Sequence, residues 1–446
     1  MKLKYILAAG IISAASVAQA QEWTADTIGT GMGYSNDGFY NLNATQSGSV
    51  ANNNWDIAFV TGKVFSTGVM VNHAGNSKSG KLYPISSDAA TDFGTDLTAD
   101  TVGLGPADEL KNSNVNWDDG AFNMDVDAPM SFGWGEYDMA THFITGNKVY
   151  ALVNNSGAYQ VWIEQYQSNS VVADRKWIFH TANLDGTDTA SYTFIPEGYG
   201  NKLFAYFNIS TGEFLNREPD MNNWHLLATK YLDVYPGSPT SGLLSTTGIV
   251  SNINVELASA TPIMANEADY ADYADDYDTV KNVIGGKYKY LEMVGMSGTW
   301  KLEDSLSYFI KIKNGTGAGD IWQVYFDYFP ESTGAAVDVK IGLQKRKVFT
   351  APLSAGDVKT QLSAVVLAPN PAVSGVTNLV IDAKENVNAA VVTIADISGR
   401  VVFRSNTNIK AGLQQLRLDV SQFTPGMYFV NVGAQGWSNA QKLIVK

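Results

Sequence analysis

From Trp23 onward the chain is written in period two. Short runs at residues 64–71, 148–153, 308–313 and 321–329 alternate apolar with polar residues, and each is cut off by Gly, Asn, Asp or Ser. Successive side chains on a strand point to opposite faces, so this pattern predicts half-buried strands. Apolar residues at helical spacing are almost absent. The 22 Tyr, 19 Phe and 10 Trp favour strands, and the 41 Gly favour turns between them. The expected class is all-β. At 446 residues and 45% hydrophobic content, the chain is long enough for more than one core.

The formal net charge of −14 makes nucleic acid and anionic lipid poor partners, because both present negative phosphate. The absence of cysteine excludes disulfides, thiolate metal sites, cysteine nucleophiles and a lipidated N-terminal cysteine. Met1-Lys2-Leu3-Lys4, the apolar run at 5–17 and Ala18-Gln19-Ala20 are the basic, apolar and small-residue parts of a secretory signal. Residues 1–20 are therefore expected to be a signal peptide, with cleavage before Gln21 and no transmembrane segment in the mature chain.

An ordered internal repeat runs through the cargo. Tyr40-Asn41-Leu42 and Trp55-Asp56-Ile57-Ala58-Phe59 return as Phe207-Asn208-Ile209 and Trp224-His225-Leu226-Leu227-Ala228. Glu136-Tyr137-Asp138-Met139-Ala140-Thr141-His142 returns as Tyr290-Leu291-Glu292-Met293-Val294-Gly295-Met296. Tyr150-Ala151-Leu152-Val153 and Tyr159-Gln160-Val161-Trp162-Ile163-Glu164 return as Phe309-Ile310-Lys311-Ile312 and Trp322-Gln323-Val324-Tyr325-Phe326-Asp327. The expected division is one β-unit over 21–200, a second over 201–346, a linker over 347–364 and a last block over 365–446.

That last block opens on Leu367-Ala368-Pro369-Asn370-Pro371-Ala372, whose prolines forbid helix and set an extended entry. Val391 to Val402 reads as a hairpin turning at Ser398-Gly399, with Gly399 supplying positive φ. Pro425-Gly426-Met427-Tyr428 feeds an alternating strand, and Lys442-Leu443-Ile444-Val445-Lys446 closes the chain. The block resembles the type A C-terminal sorting domain of the type IX secretion system of Bacteroidetes. The resemblance implies an immunoglobulin-like sandwich, recognition by the type IX machinery, and release or attachment at the cell surface.

The paired units resemble the HmuY family of haem-binding proteins. The likeness is carried by Asn54-Trp55-Asp56-Ile57-Ala58-Phe59, by Asn223-Trp224-His225-Leu226-Leu227-Ala228-Thr229-Lys230-Tyr231, and by Ser307-Tyr308-Phe309-Ile310-Lys311-Ile312 followed by Trp322-Gln323-Val324-Tyr325-Phe326. It implies two tandem HmuY-like β-units, haem held by axial histidine or methionine, and hand-over to an outer-membrane haem transporter. Imidazole nitrogen and thioether sulfur are both competent axial ligands. Met296 and His142 stand near the implied ligand position of each copy. Met264 is the second candidate in copy two, and Met124 or Met130 in copy one. Met139 and Met293 lie on the same runs and are further candidate haem contacts.

The remaining histidines are expected to be structural or exposed: His180 and His225 by packing, and His73 as solvent-facing in a Gly/Asn/Ser-rich loop. Asp269, Asp272, Asp275, Asp276 and Asp278, interleaved with tyrosines, read as a solvated acidic loop. Calcium is the less favoured alternative there, since the spacing of a calcium loop is missing. Glu164 and Asp327 occupy matching positions and are expected to face water. No nucleophile elbow, zinc-protease helix or phosphate loop appears, so an enzyme is not expected. The rival readings are an adhesive or structural surface protein without haem, and a glycan-binding or carbohydrate-active module using Trp and Tyr as sugar platforms.

Overall fold

The computed structural model describes residues 22–446 apart from 45, 62–65, 74–77, 169–174, 235–241, 316, 331–336, 352–361, 374, 397–399 and 435–436. The predicted signal peptide, residues 1–20, and the predicted Ser398-Gly399 turn lie outside the described residues. The chain divides into two compact units, Met1–Ala351 and Pro352–Lys446.

In the first unit the strands are β1 (Thr24–Met32), β2 (Asn36–Tyr40), β3 (Gln46–Ala51), β4 (Ile57–Val60), β5 (Val69–Val71), β6 (Lys81–Ser86), β7 (Glu136–Tyr137), β8 (Phe143–Thr145), β9 (Val149–Asn154), β10 (Gly157–Gln167) and β11 (Lys176–Asn183). They continue as β12 (Ala190–Phe194), β13 (Phe204–Asn208), β14 (Glu213–Leu215), β15 (Leu226–Val234), β16 (Leu243–Ser251), β17 (Val255–Ala260), β18 (Lys289–Val294), β19 (Ser297–Leu302), β20 (Ser307–Ile312), β21 (Ile321–Tyr328) and β22 (Asp338–Phe349). Helix is confined to α1 (Ala89–Asp92) and short 3-10 turns among the described residues, as the missing helical periodicity requires. The fold is all-β.

These strands stack in four layers. One outer sheet is built on β12-β11-β10-β8-β7, with β9 joining β10 to β6. Two inner sheets run β14-β13-β4-β5 and β16-β15-β2-β3, and the other outer sheet runs β1-β22-β21-β20-β17. Alternation distributes the inner strands between cores. Ile57, Phe59 and Phe207 pack with Tyr150, Val161 and Trp177 of the first outer sheet. Their neighbours Ala58, Val60 and Tyr206 pack with Phe39, Leu227 and Val250 of the other inner sheet. Tyr40, Leu226 and Ile249 point the opposite way, onto Tyr308, Val324 and Ile341. β4 and β5 are accordingly buried at every position, where alternation predicted one wet face; β20, in an outer sheet, is nearly as buried because Tyr270, Tyr273 and Tyr277 pack against the cluster that holds its Phe309. A strand between two sheets must be apolar on both faces.

The repeated motifs fall on equivalent strands. β9 pairs β10 and β10 pairs β11, as β20 pairs β21 and β21 pairs β22. β4 pairs β5 and β13, as β15 pairs β16 and β2. β12 adds to β11, and β1 adds to β22. Strands β1–β11 thus correspond to β12–β22, and each half lends its first strand to the other half's outer sheet. The tandem boundary expected at 200/201 cuts through a body whose sheets draw on both sides of it. Exchange of strands makes the halves one folding unit rather than two beads.

The correspondence extends to single hydrogen bonds. Asp56 Oδ2 accepts the Ile209 amide at 2.8 Å, and His225 Nδ1 accepts the equivalent Leu42 amide at 3.0 Å. Asn208 Nδ2 donates to the Asn54 carbonyl at 2.8 Å, and Asn41 Nδ2 to that of Asn223 at 3.0 Å. Asn72 and Asn252 cap the next strand end in the same way, onto the carbonyls of Trp55 and Trp224. A buried amide at that corner needs an acceptor, and carboxylate or neutral imidazole both supply one. His225 is therefore structural, as expected.

The second unit is a sandwich of β23 (Leu362–Ala368), β24 (Val376–Ala383) and β27 (Gly412–Asp419) against β26 (Val401–Ile409), β25 (Val387–Asp396), β28 (Gly426–Ala434) and β29 (Trp437–Val445). Each sequence mark has a structural task. Asn370 between the prolines donates to the Lys442 carbonyl at 2.6 Å and accepts the Ile444 amide at 2.9 Å, stitching entry to exit. The Asp396 carboxylate accepts both the backbone amide and the Nε of Arg400 at 3.1 Å, closing the hairpin. The Tyr428 hydroxyl donates to the Thr424 carbonyl at 2.8 Å. The predicted linker 347–364 is narrower as a structural feature: Lys347 to Phe349 end β22, and Leu362 starts β23.

Candidate functional site

The best-formed cavity lies between the two inner sheets, close to where the halves are related. Its empty space is about 730 Å³, counting the part open to solvent. Trp55 and Trp224 occupy equivalent positions, each just ahead of its strand, and both line the cavity with Phe204, Tyr206, Trp117 and Tyr231.

The symmetry ends at the charges. Asp37 on β2 meets Arg217, from the segment after β14, with Nη2 2.7 Å from Oδ2, and both side chains are buried. Asp37 Oδ1 also accepts the Thr229 hydroxyl at 2.6 Å. The guanidinium lies 4.6 Å from the Tyr206 ring centre. Glu218 Oε1 accepts the amides of Leu203 and, at 3.0 Å, Phe204, while Oε2 accepts the Tyr206 hydroxyl at 3.2 Å. Burial raises its pKa to about 7 against those hydrogen bonds. Lys281 is buried, donates to the Ser113 carbonyl at 2.7 Å, and sits 4.3 Å from the Trp117 ring centre. Burial lowers its pKa to about 7, with Asp233 and Asp119 opposing. Among the described residues, Trp55 Nε1, Trp224 Nε1 and Arg217 Nε are buried without an acceptor.

The haem candidates lie elsewhere. Met139 and His142 are exposed in the turn between β7 and β8, on the first outer sheet. His142 has φ 62°, and its Nδ1 is 2.6 Å from the Tyr137 hydroxyl. Met293 and Met296 are exposed on the equivalent β18–β19 hairpin, where Gly295 takes φ 66° and Met296 stands fully in solvent. Met264 follows β17 and is half-exposed, as are Met124 and Met130. The donor atoms suit haem iron, but none of these residues lines the cavity. β18 and β19 form a two-stranded sheet of their own, apart from the sheet that holds β7 and β8.

Other candidates resolve individually. His73 is buried, contrary to the solvent-facing expectation. Its Nδ1 is 2.7 Å from the Gly80 carbonyl, and its Nε2 accepts the Asn112 amide at 3.2 Å. Burial takes its pKa down to about 4, opposed by the Gly80 contact. Asn72 beside it serves the buried backbone, donating to the carbonyls of Asn52 and Trp55. His180 stacks on Trp162 with ring centres 4.6 Å apart, and its Nε2 is 2.6 Å from Glu164. Asp327 is exposed and accepts from Gln344 at 2.8 Å. In the acidic loop, Asp269 caps the short turn at Tyr270–Tyr273. The loop's tyrosines pack on Ala258, Phe309 and Ile321, on the outer face of the outer sheet. Among the described residues, no three of His, Asp or Glu converge in a way that would hold a metal ion.

Comparison with known proteins identifies residues 366–446 as a secretion system C-terminal sorting domain. The protein is thus sorted for export by type IX secretion, to the cell surface or the medium, and its tail engages that machinery. No curated protein matches the chain. Among solved structures, dimeric latent PorU from Porphyromonas gingivalis is similar at 12% identity and TM-score 0.17, covering 95% of this chain and 34% of PorU. A polysaccharide lyase is similar at 7% identity and TM-score 0.15, covering 67% of this chain and 35% of the lyase. The chain spans about a third of each of these structures.

Proposed function

We propose that the protein is a non-enzymatic capture protein of the cell surface or medium, with the cavity between the inner sheets as its ligand site. The observation that carries this reading is the cavity wall: tryptophans from both halves beside buried charges and unpaired N–H groups. The wall's carboxylates favour binding over catalysis, since Asp37 and Glu218 are each held by hydrogen bonds from the wall itself. The test is to incubate the mature chain with a panel of sugars and small carboxylates, following melting temperature and recovering the compound. A saturable rise with the compound unaltered supports capture. A cleaved compound overturns the non-enzymatic part, and no response at all overturns the cavity as a site.

Haem capture is the second reading, favoured by one observation: equivalent hairpins present Met139 and His142 on one side, and Met293 and Met296 on the other, to solvent. With both hairpin tips open to solvent, haem would be bound at a single hairpin and passed to an outer-membrane haem transporter. A sharpened Soret band on haemin addition, changed by His142→Ala or Met296→Ala, supports it. A flat titration removes haem from the reading.

A further inference from the structure

We infer that the ligand of the intersheet cavity is a small carboxylate, its oxygens received by Lys281, Arg217 and the indole N–H groups of Trp55 and Trp224. This deepens the capture reading and rests on it. The argument is a count of hydrogen-bonding capacity. The acceptors of the wall already hold wall donors: Glu218 takes two amides and a hydroxyl, and Asp37 takes a guanidinium N–H and a hydroxyl. The donors are in surplus. Trp55 Nε1, Trp224 Nε1 and Arg217 Nε have no acceptor among the described residues. Lys281 Nζ reaches a backbone carbonyl, and among the described residues no carboxylate oxygen lies within the 4.0 Å of an ion pair.

A buried donor without an acceptor is costly, and so is a buried ammonium such as Lys281, whose nearby carboxylates, Asp233 and Asp119, only partly oppose the effect of burial. A ligand that removes both penalties must bring acceptor oxygens and negative charge. The indoles and Tyr206 supply apolar surface for the rest of it. The depressed pKa of Lys281 fits this assignment, since a bound carboxylate would restore the ammonium form.

Three probes decide the class: galacturonate as a sugar carboxylate, benzoate as a non-sugar carboxylate, and galactose as the neutral sugar. Each is titrated into the mature chain by calorimetry and tryptophan emission. The expected result is saturable binding of at least one carboxylate, at least about tenfold tighter than galactose. Lys281→Met should weaken that carboxylate about tenfold or more while the variant melts no lower than the parent. Trp55→Phe, which keeps the ring and removes the N–H, should weaken it by a smaller factor. Galactose binding as tightly as the carboxylates overturns the inference and leaves the capture reading standing. Silence from all three overturns both. Unchanged carboxylate affinity in Lys281→Met overturns the inference, because binding would then lie elsewhere.

Discussion

Asp56 and Lys78 offer a measurement of what the strand-exchange corner is worth. The Asp56 side chain is wholly buried, and Lys78 Nζ lies 2.8 Å from its Oδ1 with only 7% of the lysine side chain exposed. The same carboxylate accepts the Ile209 amide and Asn154 Nδ2, each at 2.8 Å, so one residue ties β4, the end of β13 and the end of β9. Asp56→Asn preserves shape and one acceptor but strands a buried ammonium, which costs about 3–5 kcal/mol. Lys78→Met leaves the carboxylate its two N–H donors, so its cost falls at the lower end, about 3 kcal/mol. The double variant removes both charges and should lose only about 1–2 kcal/mol. The coupling energy is then at least about 4 kcal/mol in favour of the pair. Urea unfolding followed by tryptophan emission reads this body almost alone, because only Trp437 of the 10 tryptophans lies in the C-terminal unit. A coupling below about 0.5 kcal/mol would refute the reasoning, since the ion pair would then be incidental to the hydrogen bonds around it.

Two further outcomes follow. Lys289 is buried against Tyr288, Trp300 and Phe329, and burial lowers its pKa to about 7, as burial does for Lys281. The unfolded chain therefore binds more protons than the folded one between about pH 7 and the ordinary lysine value of 10.5, and stability should rise with pH across that window. Melting temperature should climb from pH 7 to 9.5, and Lys289→Met should flatten the climb; a fall over the same range would contradict the buried lysines. Truncation after Ala351 removes the sorting unit, so the protein should accumulate inside the cell envelope, protected from added protease; surface exposure of the truncated chain would show a second sorting signal.

Legibility in the sequence followed how local each physical cause was. The C-terminal unit was readable because its marks act within a few residues or close a single sandwich: Asp396 accepts from Arg400, and Tyr428 donates to Thr424. The repeat was readable as an ordered series of motifs, yet its consequence was not. Period-two alternation says that a strand has two faces; it does not say that the second face meets another sheet. β4, Ile-Ala-Phe-Val, could be recognised as doubly buried only from its lack of polar residues. His73 was misread for the same reason, since Asn112, its partner, stands 39 residues away.

The cavity shows the limit most clearly and also the signal that was available. Asp37 and Arg217 are 180 residues apart, and nothing in the neighbourhood of either announces an ion pair. The two tryptophans did announce something: Trp55 and Trp224 are the same position in the two copies. A duplicated fold brings equivalent positions face to face near its axis, so a residue kept aromatic in both copies there lines whatever space the axis encloses. Charges that break the symmetry beside such a pair, as Arg217, Glu218 and Lys281 do, have no counterpart to explain them by duplication. Packing alone would be better served by apolar residues of similar volume, because buried charge pairs rarely repay their desolvation. Their presence at a cavity that both halves build is the reason to look for a ligand there rather than at the hairpin tips, where the methionines stand exposed.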